Sequence, residues 1–111
     1  MAMYDDDTEA LIEEFHDTVN MQPQELEEWL ETEESKSVGD TDDGESTGHQ
    51  SGRRIVEIKR TDKTDLGDDD FDHMRKVNGY VARHLAQRPD GDVEDTRWRY
   101  SLMNWGHDPL K

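Results

Sequence analysis

One stretch constrains this chain more than any other. From Asp70 to Arg88, DFDHMRKVNGYVARHLAQR, apolar residues recur at helical spacing. Stepping about 100° per residue places Phe71, Met74, Val77, Val81 and Leu85 on one arc, with Asn78 and Ala82 inside it. An arc that wide faces a globular core rather than a narrow coiled-coil seam. Asp68, Asp69 and Asp70 stand where carboxylates favour the positive end of the helix dipole. Pro89 closes the segment, because proline disfavours helix at the residue before it. Gly79 costs about 1 kcal/mol against alanine inside a helix, a cost that close approach of another helix would justify. The opposite face gathers His73, Lys76, Tyr80, Arg83, His84 and Gln87.

The other segments are read against this one. Leu11, Ile12, Phe15 and Val19 share an arc, predicting a helix over Thr8–Asn20 after a frayed lead-in at 1–7, with Asp7 or Thr8 as its cap. Gln22-Pro23-Gln24-Glu25 is a helix start, since proline at the first position needs no amide partner. Leu26, Trp29 and Leu30 form its inward stripe. The short 20–23 turn predicts an antiparallel hairpin of these two helices. Residues 32–48 contain one apolar residue, Val38, and too little apolar surface to offset ordering entropy, predicting a mobile acidic loop. Arg53 to Arg60 would suit a short strand by its β-branched content; helix is preferred because its neighbours are helical. Pro89-Asp90-Gly91-Asp92 is a turn. Trp98, Leu102 and Trp105 mark a last helix from about Asp95 to Trp105, with Gly106 as its C-terminal cap. The expectation is an all-α fold, a small bundle of about five helices, forming a single domain over 1–111.

Charge is unevenly distributed along the chain. Residues 1–48 hold 17 of the 29 carboxylates and one of the 13 cations, so this part carries the whole net charge of −16 and the remainder is balanced. Such a charge opposes a compact state by self-repulsion in dilute buffer. At molar salt the screening length falls to about 3 Å and the repulsion largely disappears. The composition therefore points to a halophile-type protein in a salt-loaded cytoplasm; an acidic tail that meets a basic partner is the competing explanation. No apolar run approaches the ~20 residues of a membrane span and no secretory signal is visible, so a cytoplasmic location is expected.

Several chemistries find no support. Cysteine is absent, which removes disulfides, thiolate catalysis and cysteine metal sites. The acidic runs starting at Asp40, Asp68 and Asp90 put Glu45, His73 and Asp95 where an EF-hand loop needs glycine. Ser51 directly precedes Gly52, which breaks the nucleophile-elbow pattern. His73 and His84 share a face but sit about 16 Å apart along a helix, too far for one metal. The reading assigns no catalytic residue, no metal and no cofactor, and not an enzyme.

What remains is binding. Arg53, Arg54, Lys59 and Arg60 form the most basic segment and could contact phosphate, joined by Lys76, Arg83 and Arg97 if folding brings them together. Tyr80, His84 and Arg99 complete the candidate nucleic-acid surface. Pairing of these cations with the chain's own carboxylates is the bland alternative. Arg97, Arg99 and Tyr100 are predicted to point away from the tryptophan stripe, and Trp98 and Trp105 to be core. At high salt, electrostatic affinity falls, so binding would also need hydrogen bonds, stacking or shape fit. A protein–protein adaptor or stress-related regulator is the second functional class.

The strings ELEEWL, GHQSGRRIVEI, MRKVNGYVARHLAQRP and DTRWRYSLMNWGHDP resemble those of a family of small prokaryotic proteins of unknown function, some of them labelled DNA-binding. The resemblance spans nearly everything except the first few residues and the acidic loop. It implies a DNA-binding role and carries over no catalytic residue.

Overall fold

A computed structural model describes residues 6–38 and 47–111. The order is α1 (Asp6–Thr18), α2 (Pro23–Leu30), α3 (Glu33–Ser37), α4 (Thr47–Arg60), a single 3-10 turn (Lys63–Asp65), α5 (Asp68–Leu85) and α6 (Arg97–Asn104). The described residues hold six α-helices and no strand, so the segment 53–60 is helical, as its neighbours implied. No helix among them is long and apolar enough to cross a membrane.

Four of the helices begin where a side chain satisfies an exposed amide. Glu25 accepts the Gln22 N–H at 3.1 Å ahead of α2. Thr32 accepts from the Ser35 N–H at 3.1 Å and Thr96 from the Arg99 N–H at 3.2 Å, capping α3 and α6. Asp70 reaches back to the Gly67 N–H at 3.0 Å and opens α5. Gly106 ends α6 with φ +81°, a conformation that suits glycine.

The predicted hairpin does not form. α1 lies along α5, and α2 lies along α4. The turn between α1 and α2 docks instead on the C-terminal segment. Met21 N–H donates to Gly106 C=O at 3.2 Å, Asn20 exchanges bonds of 3.0 and 2.8 Å with Asp108, and His107 Nδ1 meets Thr18 C=O at 2.7 Å. Those contacts separate α2 from α1. α6 contacts α2, α3, α4 and α5, and so joins the two helix pairs.

That junction is tight because α4 offers glycines. A Cβ at Gly52 would lie 2.5 Å from the Asn104 carbonyl oxygen and 2.8 Å from Leu30 Cδ2. Gly48 faces the Trp105 indole at 3.2 Å. The single core then includes Ile12, Phe15 and Val19 of α1, Leu26 and Leu30 of α2, Ile55 and Ile58 of α4, the α5 stripe, and Trp98, Leu102 and Trp105 of α6.

The acidic loop predicted over 32–48 begins late. Residues 33–37 form α3, with Ser35 and Val38 fully buried. Buried hydrogen bonds to Asn104, described below, supply what apolar content could not. Residues 39–46 of that loop, and 1–5 of the lead-in, lie outside the described residues; Asp6 and Asp7 of the lead-in are already helical. On α5, Phe71, Met74, Val77, Asn78 and Val81 are buried as the stripe predicts, but Leu85 is 37% exposed and Ala82 is exposed. The helix ends at Leu85, before Arg88, in a turn closed by Gln87 N–H to His84 C=O at 3.0 Å. Gly79 does not admit another helix. The nearest side chain is Arg83 of α5 itself, whose Nη1 lies 3.1 Å from where a Cβ would stand.

Candidate nucleic-acid interface

Helices α5 and α6 stack aromatic rings along their shared edge. Trp105 lies between His73 (centroids 6.4 Å apart, planes 8° apart) and Tyr80 (4.2 Å, 13°). Tyr80 stacks on His84 (5.3 Å, 16°), His84 on Trp98 (6.1 Å, 15°), and the Arg88 guanidinium caps Trp98 at 5.5 Å. The order His73, Trp105, Tyr80, His84, Trp98, Arg88 follows from periodicity. His73 and Tyr80 are seven residues apart on α5, and Trp98 and Trp105, the C-cap of α6, are seven apart, so one face of each helix supplies rungs of the stack. The tryptophans are buried, while His73, Tyr80 and His84 are half-buried.

Buried polar contacts hold the ladder in place. Ser51 Oγ meets His73 Nε2 at 2.9 Å and Trp98 Nε1 donates to His84 C=O at 2.7 Å. Behind it, Asn104 Oδ1 accepts the Trp29 indole N–H at 2.8 Å and the Ser35 hydroxyl, while Asn104 Nδ2 donates to Ser35 C=O at 3.1 Å. Burial pushes the His73 and His84 imidazoles below the usual histidine range and the Tyr80 phenol above its own. At neutral pH the ladder rings therefore carry no charge, and the positive charge beside them belongs to arginine and lysine.

That charge is placed with a consistency the rest of the chain lacks. No Asp or Glu occurs from His73 to Pro89, nor from Arg97 to His107. Lys76, Arg83, Arg88 and Arg97 stand in these two stretches, and none forms a salt bridge with a described residue. Lys76, Arg83 and Arg97 are exposed. Arg83 crosses its own helix over Gly79, which keeps its guanidinium close to Tyr80. Residues 73–85 of α5 run about 18 Å at 1.5 Å per residue. Asp72 bounds this strip at one end and the acidic turn Asp90–Asp95 at the other.

The α4 cations sit in a different setting. Arg53, Arg54 and Arg60 line a groove of about 770 Å³ between α2 and α4, but Glu27, Glu31, Glu57, Asp65 and Asp70 line it too. Arg54 pairs with Glu57 at 3.3 Å and with Asp70, and Arg60 pairs with Glu27 at 2.6 Å. Lys59 spends its ammonium on the Val19 carbonyl at 3.0 Å, and burial beside Lys111 lowers its pKa. Arg99 is committed internally as well. It forms a two-pronged pair with Asp108 at 3.2 Å, with both side chains less than one-fifth exposed, and a third bond to Glu94 C=O at 2.9 Å. Burial pushes the Asp108 carboxyl up, but Arg99 and the Leu110 N–H together hold it below the usual carboxylate range. Tyr100 leans on Trp29 at 5.5 Å. Of the ten candidate residues, Lys76, Tyr80, Arg83 and His84 share the outward side of α5, Arg97 is exposed at the start of α6, and the α4 segment stays beside its own acids.

Arg88, His73 and the tryptophans joined this face without being nominated for it. The seven-residue spacing of aromatic rings in both helices, and the two acid-free runs, are the signals that find them. No group of three His, Asp or Glu side chains that could hold a metal occurs among the described residues. No curated protein and no solved structure matches the chain. The family described as "Protein of unknown function (DUF3140)" matches residues 14–103, which include all of α5 and α6 up to Met103, and the chain belongs to that family.

Proposed function

We propose that this protein is a small helical nucleic-acid-binding module whose contact face is the α5–α6 ladder with its flanking cations. One observation carries the reading: in a chain of net charge −16, the face built from 73–89 and 97–107 has no carboxylate and four cations without salt-bridge partners among the described residues. Phosphates would meet Lys76, Arg83, Arg88 and Arg97. The ring edges of His73, Tyr80 and His84 would add contacts that salt does not screen. The acidic α1–α3 side would orient the molecule, because a polyanion repels it. In this reading the protein is not an enzyme, uses no cofactor and works in a salt-rich cytoplasm.

An electrophoretic shift assay in molar potassium chloride, with duplex DNA, single-stranded DNA and RNA, tests it. Binding should be lost when Lys76, Arg83, Arg88 and Arg97 are changed together to glutamine. A wild-type protein that shifts none of the three overturns it. The second reading, a protein–protein adaptor or stress-related regulator, draws on the acidic α1–α2 surface and would then stand alone.

A further inference from the structure

The rings of the α5–α6 ladder are occupied by one another. Trp105 has His73 and Tyr80 as ring neighbours, Tyr80 has Trp105 and His84, and His84 has Tyr80 and Trp98. Arg88 lies over Trp98 and closes that end. Trp98 is 8% exposed and Trp105 4%. The hydrogen-bonding atoms of the rings are spent in the same way. His73 Nε2 meets Ser51, the Tyr80 hydroxyl shares a bond with the Ser101 side chain, Trp98 Nε1 donates to His84 C=O, and His84 Nε2 is buried. What stands outside the stack is charge. Lys76 and Arg83 are exposed and seven residues apart on α5, hence on one side of it and about 10 Å apart along its axis. Arg83 lies back over Gly79 instead of projecting from the helix.

We infer that this face takes the phosphate backbone of a double-stranded nucleic acid, without reading bases and without gripping single strands. The inference rests on the nucleic-acid reading above and narrows it. Proteins that hold single strands stack the bases on exposed aromatic faces. Here those faces already meet other rings. Base edges are read by donors and acceptors that reach into a groove. Here the ring atoms are bonded inward and the Arg83 guanidinium is folded back. Phosphates ask for neither stacking nor reach. They need exposed cations on a stiff surface, and the interlocked rings supply the stiffness. A duplex also carries one charge per about 1.7 Å of axis, twice the density of one strand, and releases more counterion for each phosphate neutralised. The same lysine and arginine therefore hold a duplex more tightly than either of its strands.

The test is fluorescence anisotropy on the full chain in about 0.3 to 1 M potassium chloride, where the screening length is a few ångströms. The probes are short labelled duplexes of DNA and of RNA, and each of their separated strands. A duplex should bind at least tenfold more tightly than either of its strands, and duplexes of unrelated sequence should agree within threefold. Whichever duplex, DNA or RNA, binds more tightly names the source, and either supports the inference. Lys76→Gln with Arg83→Gln should weaken duplex binding at least tenfold while leaving the helical circular dichroism unchanged. Single strands bound as tightly as duplexes would overturn the inference and leave the nucleic-acid reading standing; no binding of either form would overturn both. A single strand carrying 2-aminopurine, if its emission changes on addition of the protein, would show a base stacking on the rings and overturn the inference. Competition by inorganic polyphosphate as strong, charge for charge, as by unlabelled duplex would show that any polyanion suffices and would overturn it too.

Discussion

Two arginines two residues apart at the start of α6 live in different worlds. Arg99 is half-buried against Asp108 and tied to the Glu94 carbonyl. Arg97 is exposed and forms no salt bridge with a described residue. The same contrast separates larger regions. The α2–α4 groove mixes three arginines with five carboxylates, and its charge is consumed locally. The α5–α6 face keeps its cations beside neutral stacked rings. A cation inside a pair stabilises the fold, and a cation beside a ladder is available to a partner. Composition alone does not distinguish them.

The largest effects should come from breaking the internal side of this contrast. Arg99→Met leaves Asp108 buried without its partner and should cost about 3–5 kcal/mol in urea unfolding. Asn104→Ala unpairs Ser35 and the Trp29 indole together and should cost at least about 2 kcal/mol. Arg97→Ala should leave the unfolding midpoint within ~0.5 kcal/mol of wild type. If Arg97 and Arg99 prove equally destabilising, the division between structural and available cations fails.

Effects on the binding side should be smaller and differ in kind. Four phosphate contacts predict a slope of log K against log salt of about −3 to −4, and Lys76→Ala or Arg83→Ala should each reduce it by about 1. Arg60→Ala, whose partner is Glu27, should change neither slope nor affinity by more than about twofold. A slope that responds to Arg60 but not to Lys76 would move the interface to α4.

Protonation sharpens the same comparison. His73 and His84 have pKa values lowered by burial, so the unfolded chain takes up protons that the native chain refuses. Their contribution to stability is fully present above the ordinary histidine value, about 6.5, and is lost progressively as pH falls below it. In molar potassium chloride, which screens the carboxylate repulsion, the melting temperature should fall between about pH 7.5 and 5.5. His84→Phe should flatten that fall, and an unchanged profile would show that the ladder rings are not held neutral. A modest effect belongs to Gly79→Ala. It should raise helix stability by up to about 1 kcal/mol while displacing the Arg83 guanidinium, so that stability and binding move in opposite directions.

The helices were legible because each carries its own instruction. Phe71, Met74, Val77 and Val81 at helical spacing, Pro23 at a helix start and Gly106 at a helix end are local signals, and all of them hold. The helix pairing was not legible. A short turn at 20–23 suggests a hairpin, but Asn20 and Met21 find their partners at Gly106 and Asp108, more than 80 residues away. α3 was missed for the same reason. Its polar composition predicts a loop, and the bond that orders Ser35 comes from Asn104, 69 residues away. The candidate face was legible in part: Lys76, Tyr80, Arg83 and His84 lie together on α5, while Arg54, Lys59, Arg60 and Arg99 meet partners that no local pattern names.

By itself, then, the sequence determined that five of the six segments become helices, and that the net negative charge belongs to the first 48 residues. These depend on backbone dihedrals, capping groups and periodic burial, all set within a few residues. The tertiary structure alone decided which helices touch, which cations are consumed, and that five rings from α5, α6 and the α6 cap form a stack ending in Arg88. Those outcomes depend on distances between groups far apart in the chain, and Gly52 shows why they are unforgiving: one added methyl group would stand 2.5 Å from a carbonyl of α6, the helix that joins the two pairs.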